Sequence, residues 1–244
     1  MFELRIHGRG GQGVVTAAEM FSVAAFAEGH NAQAFPSFGS ERMGAPVVSF
    51  CRIDDKEIRL REPIMEPDAI IIQDPTLLHQ VDVFAGLKKD GYILINTNRS
   101  FDALGLSDFI SGRPPERICT LPATELGLKH VGRPIPNVSL LAGFAALSGL
   151  IRLESVVNAI SEKFSGKVAE GNIAAATEAY NLVKAMMNPI HPPTPPLKGG
   201  EHVAAAANSP FQACPELVEV GEGRGGDGFD LAQEQSGTKG GAHA

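Results

Sequence analysis

The run Ala69-Ile70-Ile71-Ile72-Gln73 constrains this chain more than any other stretch. A strand with one wet face alternates apolar and polar residues. This one is continuously apolar and β-branched, the pattern of a strand covered on both faces. Tyr92–Asn96 (YILIN) has the same character. Two such strands imply a largely parallel sheet with helices layered against it. The rest of residues 1–187 fits that frame. Phe2–His7 reads as a strand ending at Gly8. Gln12–Glu28 carries Val15, Met20, Ala24 and Ala27 on one helical face, with Gly29 as its stop. Asn31–Phe35, Pro46–Ile53 and Arg117–Leu121 read as strands. The turn Asp54-Asp55-Lys56 predicts a hairpin between Pro46–Ile53 and Glu57–Leu60. Helices are predicted over Thr76–Leu87, Val138–Leu150, Leu153–Phe164 and Lys167–Met187. The fold class is therefore α/β, Rossmann-like: a mostly parallel sheet with flanking helices, one antiparallel hairpin, and a disordered C-terminal tail.

That tail is residues 188–244. It holds seven of the 17 prolines, ten of the 27 glycines, and seven acids against three bases, so it carries −4 of the net charge of −7. Such a stretch buries too little apolar surface to offset its ordering entropy. The division is thus 1–187 folded domain and 188–244 low-complexity tail. The negative charge leaves no basic field for nucleic acid. No apolar run approaches the ~18 residues of a membrane span, and Phe2–Ile6 is too short for a signal peptide, so a cytoplasmic protein is expected. The three cysteines, Cys51, Cys119 and Cys214, are far apart. They encode no disulfide framework, and neither a zinc nor an iron–sulfur site.

Two segments carry candidate chemistry. Gly8-Arg9-Gly10-Gly11-Gln12-Gly13 lies between the first strand and the first helix. Gly8, Gly10 and Gly13 form a G-x-G-x-x-G turn that brings backbone N–H groups and a helix N-terminus toward an anion. A dinucleotide site also needs an acid at the end of the second strand; the segment NAQAFPSF has none before Glu41, so NAD is disfavoured. Helix packing, a phosphate-type ligand and a subunit contact remain open for these glycines. The second segment, Phe35–Pro46 (FPSFGSERMGAP), carries Phe38 and Met43 inside a Gly, Pro and Ser-rich loop. Two such apolar side chains suggest packing against a ligand or partner; Arg42 suits a phosphate or carboxylate, or pairs as solvated charge with Glu41, Glu57 or Glu62. His7 is expected to be hydrogen-bonded at a sheet edge, Asp74 to cap a helix, Asn137 to be an N-cap, and Lys129 and His130 to be solvated. Cys51 and Cys119 are expected to be buried and inert.

IHGRGGQGVVTAAEM (6–20) followed by FPSFGSERMGAPVVSFCRIDDKEIRLREPIMEPDAIIIQDPTLL (35–78) resembles the gamma subunits of pyruvate:ferredoxin oxidoreductases, within the thiamine-diphosphate-dependent 2-oxoacid:ferredoxin oxidoreductases. The resemblance spans about residues 1–187. It implies one part of a cytoplasmic hetero-oligomer with alpha, beta and delta subunits, and ferredoxin engaged through the complex. Alpha and beta would supply thiamine diphosphate and Mg, delta the iron–sulfur clusters, and this chain would bind none of them alone. The assembled reaction converts pyruvate, CoA and oxidised ferredoxin into acetyl-CoA, CO₂ and reduced ferredoxin. CoA is the co-substrate that carries phosphates, which points to Gly10, Gly11, Gln12, Ser40 and Arg42 as lining its approach or the subunit interface; no catalytic or metal-binding residue is assigned. The alternatives are a gamma subunit acting with 2-oxoisovalerate, 2-oxoglutarate or indolepyruvate, and a stand-alone nucleotide-binding oxidoreductase.

Overall fold

The computed structural model describes residues 1–37 and 43–188. Its six strands are β1 (Phe2–Arg9), β2 (Asn31–Pro36), β3 (Pro46–Asp54), β4 (Ala69–Ile72), β5 (Tyr92–Asn96) and β6 (Ile118–Leu121), in the spatial order β2-β3-β1-β4-β5-β6. The helices are α1 (Val14–Ala27), the short α2 (Ser107–Ile110), α3 (Ala123–Val131), α4 (Asn137–Ser148), α5 (Leu153–Lys163) and α6 (Gly166–Met187). β1, β4, β5 and β6 run parallel, with Ile6 opposite Ile71, Ile71 opposite Leu94, and Leu94 opposite Cys119. β3 is antiparallel to both β1 and β2. The expected α/β sheet with an antiparallel hairpin is present, and the hairpin is β2–β3. Glu57–Leu60 does not return along β3, because both edges of β3 are already hydrogen-bonded. Instead the carbonyls of Leu60 and Glu62 accept hydrogen bonds from the buried Arg52 guanidinium, at 3.5 and 2.8 Å.

Alternate residues along the strands face two different cores. On one face Leu4, Ile6, Cys51, Ile71, Leu94 and Leu121 pack under α1, α3, α4, α5 and α6. On the other Ile70, Ile72, Ile93, Ile95 and Ile118 pack under Leu77, Val83 and Phe101, which belong to connecting segments. This explains why AIII shows no alternation. The helix expected over Thr76–Leu87 is reduced to a 3₁₀ turn, Pro75–His79. Arg5, on buried β1, donates to the carbonyls of Val83 and Ala85 at 2.9 and 2.6 Å. A buried guanidinium needs such acceptors, and a continuous helix would withhold them. α3 was not anticipated, although Glu125 in its first turn, Lys129 and His130 in its last, and left-handed Gly132 after it are ordinary end signals.

α4 is apolar all round and is the buried centre of the helical layer. Its Phe144 is fully buried and meets Phe2, Phe21 and Tyr92 at ring-centroid distances of 6.3, 5.5 and 6.1 Å. No helix among the described residues is long and apolar enough to cross a membrane. The tail reading falls on residues 189–244, which lie outside the described residues. Phe144→Ala removes the ring that joins β1, β5 and α1, and is expected to destabilise the fold by about 3–5 kcal/mol in denaturant unfolding. A loss below about 1 kcal/mol would show that the aromatic cluster is not central to the core.

Candidate functional site

β1 and β4 are parallel neighbours whose chains leave the sheet on opposite faces. After β1 the chain turns into α1, on the helical face; after β4 it enters the Pro75–His79 turn, on the other. The ends of two such strands open a crevice, the usual ligand position in an open α/β sheet. The glycine turn 8–13 and Asp74 meet there. Asp74 caps the 3₁₀ turn as expected: its Oδ1 accepts from the Thr76 N–H at 3.0 Å and from the Thr76 hydroxyl at 2.6 Å. Its Oδ2 accepts from Arg9 Nε and from Gln12 Nε2, both at 3.0 Å. Gln12 closes the loop by accepting from the Arg9 N–H at 2.8 Å. Burial pushes the Asp74 carboxyl upward. The Thr76 hydroxyl and N–H, Gln12 and the Arg9 charge outweigh it and leave the group below its ordinary range.

Arg9 was not singled out from the sequence, yet it is the most connected side chain at the turn. Besides Asp74, Nη1 donates to the Gly44 carbonyl at 3.0 Å, and Nη2 to Thr76 Oγ1 at 2.7 Å and Gln80 Oε1 at 2.9 Å. An arginine inside a glycine motif was the available signal, since a side chain among glycines has room to reach across the turn. The tip of the β2–β3 hairpin also pairs with the turn through its backbone. Gly10 N–H donates to Ala45 O at 2.9 Å, and Gly44 N–H to Gly10 O at 3.0 Å.

Two glycines answer the question of packing against ligand in part. Gly13 has φ 73°, and a Cβ there would lie 2.4 Å from Asn137 Nδ2. Gly11 has φ 94°, and its Cβ would lie 2.5 Å from Met43 Sδ. Both conformations disfavour a side chain, and both spaces are already filled by the protein. Packing therefore accounts for these two glycines without a ligand. What remains is an open cleft of about 430 Å³ over the start of α1, bordered by Arg9, Gly10, Gly11, Thr16, Met43 and Val47. The first turn of α1 carries no acid and no side-chain cap. Its N–H groups make that end of the cleft electropositive. Gly10, Gly11 and Gln12 are thus brought to one place, with Gln12 committed to Asp74 and Arg9. Ser40, Arg42 and Phe38 lie outside the described residues.

Other expectations need correction. His7 is not at a sheet edge: β1 lies between β3 and β4, and the imidazole is 5 % exposed with no hydrogen-bond partner on either ring nitrogen. Desolvation, with the nearby Arg5 charge, drives its pKa down to about 3. Asn137 is the first residue of α4 rather than its cap; Pro136 holds the cap position, and the buried Asn137 amide faces Gly13. Lys129 and His130 are engaged by Glu178 of α6, at 2.8 and 2.5 Å. Cys51 and Cys119 are buried, as expected, on β3 and β6, which are not neighbours in the sheet. Burial pushes the Cys51 thiol up to about 12. Thiolates so placed do not fit an iron–sulfur cluster, and the one carboxylate at the turn, Asp74, is fully used by its protein donors. Among the described residues no group of three His, Cys, Asp or Glu side chains is placed to hold a metal ion.

Comparison with known proteins identifies this arrangement. Residues 3–182 match the family model for pyruvate ferredoxin/flavodoxin oxidoreductase. The chain belongs to that family. The pyruvate/ketoisovalerate oxidoreductases common subunit gamma of Pyrococcus abyssi is 48% identical over 180 residues, 74% of this chain and 96% of that one. The pyruvate synthase subunit PorC of Methanocaldococcus jannaschii is 49% identical over 181 residues, with the same coverage. In structure, pyruvate oxidoreductase subunit PORC of Thermotoga maritima superposes with a TM-score of 0.63 at 34% identity, over 74% of this chain and 95% of that one. The resemblance read from the GRGGQG and PSFGSERMGAP segments is thereby confirmed at the level of family. All three pyruvate ferredoxin/flavodoxin oxidoreductase relatives leave about a quarter of this chain unmatched.

The buried, unpaired His7 makes this fold acid-sensitive. Its folded pKa is near 3 and its unfolded one about 6.5. Below pH 6.5 the unfolded chain takes up a proton that the folded chain refuses, so stability falls as pH falls through that window, by about 1.4 kcal/mol per pH unit. His7→Leu should reduce the loss of unfolding free energy as the pH falls between 6 and 4, leaving the contribution of depressed carboxylates such as Asp74. A wild-type slope in the variant would show that His7 is not the group responsible.

Proposed function

We propose that this chain is the gamma subunit of a multi-subunit pyruvate:ferredoxin oxidoreductase, supporting CoA-dependent oxidative decarboxylation of pyruvate to acetyl-CoA and CO₂. The observation that carries the reading is near-complete alignment: this chain accounts for 96% of relatives named as gamma or PorC subunits. Thiamine diphosphate, Mg and the iron–sulfur clusters belong in this reading to alpha, beta and delta subunits, as the family resemblance implies, and the separated, buried Cys51 and Cys119 agree with the clusters lying elsewhere. The isolated chain is therefore inactive. The name of the Pyrococcus abyssi relative, a subunit common to pyruvate and ketoisovalerate enzymes, favours a second reading in which one gamma chain serves two such oxidoreductases.

Within the complex, the cleft over α1 is the route by which the CoA phosphates approach, or it is the contact with a neighbouring subunit. The uncapped first turn of α1 supports the former: backbone N–H groups and the helix dipole stabilise an anion without a formal positive charge. This chain would bind and orient CoA there, while the chemistry occurs on partner subunits. Gly10, Gly11 and Gln12, with Ser40 and Arg42 of the loop outside the described residues, are the proposed contacts of that ligand or of the subunit interface. In this reading residues 188–244 take no part in this activity.

The test is purification. The chain should co-purify with three further subunits, and the complex should reduce a viologen dye with pyruvate and CoA while the lone chain does not. Pyruvate oxidation by the lone chain would refute the subunit reading; dye reduction with 2-oxoisovalerate but not pyruvate would reassign the substrate. Truncation after Met187 should leave complex assembly unchanged and the melting temperature within about 2 °C. A larger fall would show that the tail packs.

A further inference from the structure

We propose that Arg9 is the positioning residue of this cleft: its guanidinium ties Gly44, next to Met43, to the turn after β4 and so helps to set the wall that CoA meets. The inference rests on the reading of the cleft as a CoA route. Four of the five guanidinium N–H groups are taken by Asp74, Gly44, Thr76 and Gln80. A cation so occupied is a structural fork rather than an anion ligand. Its partners come from two segments that are otherwise separate, the hairpin tip and the turn after β4.

Two backbone bonds to Gly10 also hold the wall, from Gly10 N–H to Ala45 O and from Gly44 N–H to Gly10 O, and Arg9 adds the only tie the described residues show from Gly44 to the turn after β4. Met43 is 87% exposed, so burial does not fix it, yet its sulfur sits against Gly11. Its position follows from its neighbour Gly44, whose carbonyl Arg9 holds and whose N–H bonds Gly10. That tie is partly shielded, with Arg9 and Asp74 side chains 21% and 14% exposed. By contrast β1, β4 and α1 are held by Ile6, Ile71 and Val14 in the main core and do not need Arg9. Removing Arg9 therefore leaves Gly44 held only by Gly10, loosens Met43 beside it, and leaves the domain folded.

The experiment uses the assembled hetero-oligomer with CoA as the varied substrate. Arg9→Ala should raise the KM for CoA about ten-fold or more, with kcat and the KM for pyruvate within about two-fold, because misplaced positioning groups act on the ligand they align. Arg9→Lys should not rescue it, since one ammonium cannot span the four acceptors. Gln80→Leu, which removes a single acceptor far from the glycines, should raise the KM for CoA by about two- to three-fold. An unchanged KM for CoA in Arg9→Ala, full rescue by lysine, or loss of subunit assembly with all constants falling together would each overturn the proposal. Gly11→Ala separates the two levels of argument. If it leaves the KM for CoA at wild type, the cleft reading falls and this proposal with it. If it raises that KM while Arg9→Ala does not, the reading stands and the role of Arg9 falls.

Discussion

β1 is the strand on which the architecture turns. It pairs antiparallel with β3 along its whole length and parallel with β4 over Leu4–His7. Over Leu4–His7 both of its edges are paired, and its side chains are divided between two cores. Leu4 and Ile6 lie under the helices, whereas Arg5 and His7 enter the opposite face. That second face has to accommodate a cation and an imidazole in a dry layer. Arg5 Nη2 finds the carbonyls of Val83 and Ala85, while its Nε stays unpartnered, and these contacts shape the segment after β4 as irregular chain. His7 finds no partner and remains neutral. The asymmetry of the molecule, helices on one side and connecting segments on the other, is thus linked to two polar residues of one central strand.

The same strand delivers the cleft. Because β1 and β4 exit to opposite faces, their ends diverge and expose the backbone between them. Asp74 keeps that divergence from becoming disorder. One carboxylate accepts four hydrogen bonds, two from its own turn and two from the turn after β1. Burial alone would have favoured its neutral form; the donors reverse that. A carboxylate saturated in this way is a joint, and it has no lone pair left for a metal. Charge-assisted bonds of this kind are each worth about 1.5–3 kcal/mol when shielded.

Much of this was legible in the residues. Unbroken apolar runs at 69–72 and 92–96 identify strands covered on both faces, and end signals such as Gly29 and Asp74 place helix and turn boundaries. The failures have one physical character: a long-range partner overrode a local signal. Residues 76–87 have helical composition, but Arg5 claims their carbonyls. Residues 57–60 look like a hairpin return, but β3 was already paired on both sides. Asn137 has cap chemistry, but close approach to Gly13 draws its amide across to α1. His130 has the look of a surface residue until α6 brings Glu178 beside it. The motif glycines were seen as a turn; the role of the arginine between them depends on residues 35 to 71 positions away.

The glycine turn also shows how one motif separates structural from ligand demands. Gly13 lets α1 approach α4, and Gly11 lets the hairpin tip approach the turn. In a dinucleotide fold the same glycines admit a pyrophosphate, and an acid after the second strand holds the ribose. Here the second strand, β2, is the edge of the sheet and pairs only with β3, so its end is carried away from β4. The hairpin that follows it folds back onto Gly10 instead. The space a ribose-binding strand end would flank is therefore bounded by the hairpin tip, with Met43 and Val47 on one side and the start of α1 on the other. A cleft of that make has backbone N–H groups for an anion and no carboxylate for a ribose. On the proposed reading such a cleft suits a ligand recognised by its phosphates rather than a dinucleotide laid across the sheet.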